Sequence, residues 1–164
     1  MRTLLLICAI FLSAMASAQE NNREYNVCAS LGTGINLDSP SKTPLLSQLI
    51  VSKTFLLRME LGAGAGISVY EKTLLPIFAH AGFKFADFEH IKLGITMDGG
   101  GTLIHKGVYL SPSINGRYKI FQLSLGYEYQ TFNRIKTNEN EYLVSSFKEN
   151  LHHSTVVFRI GVMF

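Results

Sequence analysis

Thr155-Val156-Val157-Phe158-Arg159-Ile160-Gly161-Val162-Met163-Phe164 is the stretch on which the reading turns. Its even positions are Val, Phe, Ile, Val and Phe, all large and apolar. Its odd positions include Thr, Arg and Gly. Period two sends successive side chains to opposite faces of a strand. One face is therefore continuously apolar, while the other has to accommodate Arg159. Ten residues at ~3.3 Å each, tilted by ~40°, rise ~25 Å, the height of the apolar band on a membrane barrel. Phe164 closes the stretch in the apolar phase.

The same alternation recurs upstream. Tyr25–Leu37 sets Val27, Ala29, Leu31 and Ile35 against Asn26, Cys28, Ser30 and Asn36. Met59–Val69 sets Leu61, Ala63, Ala65 and Ile67 against Glu60, Gly62, Gly64, Gly66 and Ser68. Further strands are expected over 76–85 (Lys84 and His80 on the polar face), 91–98 (Lys92 and Asp98) and 107–118 (Arg117). Phe121–Gln130 is another, with Glu128 on its polar face. The 45–56 segment fits less well, because Lys53 shares the apolar phase with Leu49, Val51 and Phe55 while Ile50 does not. A bulge or slipped register there is an open alternative. Pro112 has no N–H to give a ladder and predicts a bulge. Gly99-Gly100-Gly101 predicts a flexible loop, Ala86–Glu89 a turn, and Asn133 to about His153 an irregular connection. Tyr142-Leu143-Val144 are expected to extend the last hairpin.

Residues 1–18 read as a secretory leader, with Arg2, an apolar run over Leu4–Leu12 and an Ala16-Ser17-Ala18 cleavage signal. The mature domain would then be 19–164, and its formal charge would fall from +3 to +2. Cys28 is the one cysteine outside the leader, which excludes an intramolecular disulfide framework. Charged residues are 16% of the chain against a typical ~25%. No basic cluster suggests a nucleic-acid partner. The glycine run at 62–66 lacks the spacing of a phosphate loop, and His80, His90 and His105 lack metal-ligand spacing. No cofactor is expected. Eight strands, with short connections near Leu57, Asp87-Phe88 and Lys119, place Tyr25, Phe55, Phe85, Tyr118, Phe121 and Phe164 at one rim as an aromatic girdle.

Period two does not by itself say which face is inside, and a soluble ligand-binding barrel would turn the apolar face inward. The polar faces decide for the opposite arrangement. They are rich in Gly, Ser, Asn and Gln, and their few charges, Glu60, Lys84, Lys92, Asp98, Arg117, Glu128 and Arg159, form a set able to pair across a lumen. Glu128 and Arg159, on adjacent strands, are an expected pair.

The whole pattern resembles the small eight-stranded outer-membrane barrels of Gram-negative bacteria, the OmpX-like and OmpA-like class, and the short single-barrel proteins of Bacteroidetes. The resemblance implies an all-β, antiparallel up-and-down transmembrane β-barrel in the cell outer membrane. It also implies outer-membrane lipid and the barrel-insertion machinery as partners, with Phe164 as the assembly signal. A non-enzymatic protein, structural or interacting through external loops, is the expected function. One enzymatic alternative comes from barrels that deacylate lipid A through His-x-Ser and a later Glu. His152-His153-Ser154 has that spacing, but no acid follows Ser154, so another residue such as Glu149 would have to orient the histidine.

Overall fold

The computed structural model describes residues 25–38, 43–55, 58–70, 72–104, 106–140 and 143–164, with the backbone alone over 133–140 and 143–150. The leader, Leu57, His105, Tyr142 and the side chain of Glu149 lie outside the described residues. The strands are β1 (Tyr25–Asn36), β2 (Leu45–Phe55), β3 (Met59–Val69), the two-residue β4 (Thr73–Leu74) and β5 (Pro76–Asp87). They continue with β6 (Ile91–Thr102), β7 (Gly107–Tyr118), β8 (Phe121–Asn140) and β9 (Leu143–Met163). Every pairing is antiparallel. β1 pairs with both β2 and β9, and β2 with β3, so eight long strands close a barrel to which β4 adds a short pairing on β3. Closure leaves no free edge on the barrel wall.

The expected phases hold around the wall. Leu31, Val51, Leu61, Ile77, Ile95, Ile114, Leu125 and Ile160 face outward and are exposed. Ser30, Gln48, Glu60, His80, Asp98, Ser111, Arg117, Glu128 and Arg159 face inward and are buried. This polarity is inverted relative to a soluble domain, and it is what a wall facing hydrocarbon requires.

Four local expectations are corrected. The glycines 99–101 lie inside β6 and pair with β5 and β7 throughout. Inward-facing Gly100 sits between Phe78 and Tyr109, whose ring centroids are 5.1 Å apart. The missing side chain lets the β5 backbone approach, since a Cβ at Gly100 would come within 2.0 Å of Ile77 O and 2.6 Å of Phe78 Cα. Pro112 causes no bulge. The β6–β7 register runs unbroken through Met97↔Pro112, and the β7–β8 register is the same on either side of residues 111–112, where two pairings are missing. The lost N–H costs ladder bonds on one side and does not insert a residue.

Among the described residues the one register shift lies between Lys84 and Ala86 in β5, and the strand continues to Asp87. Phe88 and Ile91 then close the turn with reciprocal backbone bonds of 2.8 and 3.2 Å, leaving Glu89-His90 as its tip. Finally, the stretch expected to be irregular is a long hairpin, paired from Phe121↔Val162 up to Asn140↔Leu143. β2, the doubtful segment, pairs with β3 in one unbroken register from Leu45↔Val69 to Phe55↔Met59.

The connections between β2 and β3, β5 and β6, and β7 and β8 are short and share one rim. Tyr25, Phe55, Phe85, Tyr118 and Phe121 are exposed at that rim. Phe164 joins them by exchanging backbone bonds of 2.9 and 3.1 Å with Val27.

Candidate functional site

The lumen is organised in three levels. Nearest the short-turn rim, Glu60 on β3 and Arg117 on β7 form a buried ion pair at 2.8 Å. Ser52 donates to the same carboxylate, and Arg117 Nε donates to Gln122 Oε1 at 3.1 Å. Gly82, next to Glu60 in register, keeps this level open: a Cβ there would lie 3.3 Å from Glu60 Cβ and from Thr96 Cγ2. Lys84 Nζ reaches Thr54 Oγ1 at 3.4 Å, and Asn26 Nδ2 donates to the same hydroxyl at 3.1 Å.

Glu128 holds the middle level together. Arg159 donates to Glu128 Oε2 and also to Ser111 Oγ at 3.1 Å. Gln130 donates to Glu128 Oε1 at 2.6 Å, Tyr70 at 3.1 Å and Ser68 at 3.3 Å. Tyr109 OH lies 3.5 Å from Oε2 and accepts a bond of 2.5 Å from Gln48. A fully enclosed carboxylate survives in the interior because it has a charged partner and several donors. Arg159 is opposite Ser124 in register and Glu128 is opposite Thr155, so the pair joins residues four positions apart in register along the β8–β9 ladder. Gly32 faces Arg159, and a Cβ there would come within 2.6 Å of Arg159 Cγ. These glycines make space for neighbours on adjacent strands more than for side chains from across the lumen. A second buried pair, His80 Nδ1 with Asp98 Oδ1 at 2.6 Å, joins residues directly opposite on β5 and β6.

The third level closes the hairpin end. Tyr70 folds inward from the β3–β4 connection and stacks on His153, with centroids 4.4 Å apart and planes at 11°. Phe132 packs against the same imidazole at 5.1 Å, and Asn36 Nδ2 lies 3.4 Å from its Nδ1. Leu46, Leu74 and Val157 form the apolar layer with these rings.

All seven charges expected in the lumen share its inward phase, and four of them join in two ion pairs, Glu60–Arg117 and Glu128–Arg159. Asp98 takes His80 as its partner, and Lys84 lies near the rim. Lys92 is corrected: it is exposed and lies 3.8 Å from Asp87, outside the enclosed network, because its strand position falls at the open rim. The sequence reading missed Tyr70, which comes from a connection without periodicity. It also missed the Gln48–Tyr109 link, although both residues occupy inward positions.

The alternation of β9 puts His152 and Ser154 in the same outward phase and His153 in the other. His153 belongs to the lumen, whereas His152 is exposed outside, with Nε2 3.8 Å from Asp38 Oδ1. Among the described residues the acid beside His152 is Asp38 from the β1–β2 connection. Ser154 is buried, and its backbone carbonyl accepts from Leu37 N at 2.7 Å. Among the described residues no cluster of three His, Cys, Asp or Glu side chains converges as a metal site would.

No protein-family model and no curated protein matches the sequence. Solved structures do. A de novo designed transmembrane β-barrel aligns with 87% of this chain and 98% of its own, at 10% identity and a TM-score of 0.52. The fold is that of a small transmembrane β-barrel. The crystal structure of neisserial surface protein A covers 85% of this chain and 96% of its own, at 13% identity and a TM-score of 0.49. Outer membrane protein AlkL, determined in DMPC bilayers, covers 87% and 91%, at 10% identity and 0.43.

Proposed function

We propose that this protein resides in the bacterial outer membrane as a non-enzymatic barrel, structural or interacting through its hairpin end. One observation carries the reading: an apolar outer wall surrounds a lumen filled by the Glu128–Arg159 and Glu60–Arg117 networks. A barrel filled in this way offers no wide aqueous path, and eight strands enclose just enough space for side chains. The short turns at one rim and the long β8–β9 hairpin at the other support an orientation with the turns in the periplasm. The leader expected at Met1–Ala18 supports export, and Phe164 at the seam with β1 is the residue proposed to be read during insertion. The OmpX-like single-barrel proteins are the family this reading favours. The non-enzymatic part rests on Ser154, which is buried and makes no hydrogen bond to His152 among the described residues.

The test is fractionation of expressing cells, followed by gels of boiled and unboiled sample. The protein is expected with the outer-membrane fraction, to need detergent for extraction, and to change mobility on boiling. Recovery in periplasm or medium without detergent overturns the reading.

A further inference from the structure

Among the described residues, Lys84 is the lumen-phase cation that no carboxylate meets within ion-pair distance. Arg117, Arg159 and Lys92 have Glu60, Glu128 and Asp87. Lys84 stands half-buried at the short-turn mouth of the lumen, and its backbone N–H donates at 2.8 Å to the carbonyl of Arg58, an exposed cation of the β2–β3 turn. Its ammonium lies 3.4 Å from Thr54 Oγ1, to which Asn26 Nδ2 donates at 3.1 Å. A hydroxyl has two acceptor lone pairs and one hydrogen. Donors thus face both lone pairs of Thr54, and its hydrogen meets no acceptor among the described residues. The ammonium and the Asn26 amide keep further hydrogens of their own. Glu60, beside Thr54 in register, is already engaged by Arg117 and Ser52. Asn26, Thr54 and Lys84 are all half-buried, so an ion from solution can reach them at the rim.

We propose that the short-turn mouth of the lumen is a binding site for a phosphate group, held by Lys84 Nζ, the Thr54 hydroxyl and Asn26 Nδ2. Three donors gathered around one oxygen call for an acceptor, and a positive charge without an ion-pair partner selects an anion over water. A tetrahedral oxyanion offers each donor its own oxygen. Arg117 and Ser52 hold the Glu60 carboxylate, which limits its repulsion of a second anion. Free phosphate and a phospholipid headgroup share this chemistry, and the experiment separates them.

The experiment is an amide-resolved NMR titration of the full barrel in non-ionic detergent with inorganic phosphate, at fixed pH and ionic strength. Saturable shifts are expected at Asn26, Thr54 and Lys84. Lys84→Met should weaken binding about tenfold or more, as loss of a charged donor does, and Thr54→Val about fivefold. Lys119→Met, which removes an exposed cation from another turn of the same rim, should change it less than about twofold. Equal weakening by Lys84→Met and Lys119→Met overturns the site and signifies diffuse rim charge, as does a response that never saturates. Glu24, two positions before Asn26, lies outside the described residues. Phosphate binding seen only in Glu24→Gln overturns the proposal, because the chain's own carboxylate would then hold these donors. Phosphatidylglycerol added to the micelles separates the two sources. Displacement of phosphate assigns the site to a lipid headgroup, and undiminished binding assigns it to a soluble phosphate. A boiling-dependent gel shift confirms that each variant is folded. If Lys84→Met does not fold, Lys84→Gln serves in its place, with the same outcomes decisive. The site rests on the geometry of the lumen mouth, so its failure leaves the membrane reading untouched.

Discussion

Arg159 and Glu128 show how one side chain can be costly to bury and still necessary. Among the described residues, Arg159 is the only cation whose side chain donates to Glu128; the other donors are neutral. Arg159→Leu therefore leaves an enclosed charge without its counter-charge and is expected to destabilise the barrel by about 3–5 kcal/mol. Replacing both residues with Leu should cost less, because no orphan charge remains. Urea unfolding in lipid vesicles measures both, with Ser124→Ala as a lumen control; equal losses from Arg159→Leu and the control would count against the pairing. Lys119 poses a smaller balance. Its φ of 53° at the first position of the Lys119-Ile120 turn is left-handed, which costs an L-residue about 1–2 kcal/mol. Its contact with the Tyr118 ring returns about 0.5–1 kcal/mol at an exposed site. Strain wins by a small margin, so Lys119→Gly is expected to stabilise the fold by about 0.5 kcal/mol. A loss in the same unfolding assay would show that the ring contact dominates.

Among the elements, β3, β5 and β6 depend on which residues lack side chains. The Phe78 ring lies over Gly64, where an added Cβ would come within 2.5 Å of it, and its Cα faces Gly100 on the other side. Gly64→Ala should cost about 1–3 kcal/mol by overpacking. The combination with Phe78→Leu should cost less than the sum of the two single changes, and strict additivity in a double-mutant cycle would refute the packing account. The same glycines explain where the sequence misled. Gly99–Gly101 carry no periodic signal, so their strand is visible only through the neighbours that pair with them and the Ile77–Phe78 backbone that closes on Gly100. The shift after Lys84 breaks no rule of alternation, since Phe83 and Phe85 are both exposed. The upper hairpin is polar and so has no apolar phase to read. By contrast β1, β3, β8 and the last ten residues were legible because each presents one face to the outside and one to the lumen.

For the whole molecule, the decisive question is which solvent the outer wall meets, and sequence alternation alone leaves this open. The charge set of the lumen was legible because inward charges are few and must be paired. Its partners from connections, Tyr70 above all, were not, because no periodicity places a loop residue. A single substitution series distinguishes hydrocarbon from water at the wall. Leu125 points outward from the middle of the alternating Phe121–Gln130 part of β8, with Ile114 and Phe158 as its register neighbours, whereas Phe121 points outward at the rim. In a bilayer an arginine at the midplane of a barrel wall costs about 2–4 kcal/mol, and near the interface about 0–1 kcal/mol. Leu125→Arg should therefore destabilise the vesicle-embedded barrel by about 2–4 kcal/mol and Phe121→Arg by no more than about 1 kcal/mol. On a wall facing water both substitutions would add exposed charge to an exposed site, and each would stay within about 0.5 kcal/mol. Unfolding free energies for the two variants, measured in vesicles of one lipid, give the comparison. A depth-dependent difference places the apolar wall in hydrocarbon; equal and small effects would return the molecule to water and remove the basis for the membrane assignment.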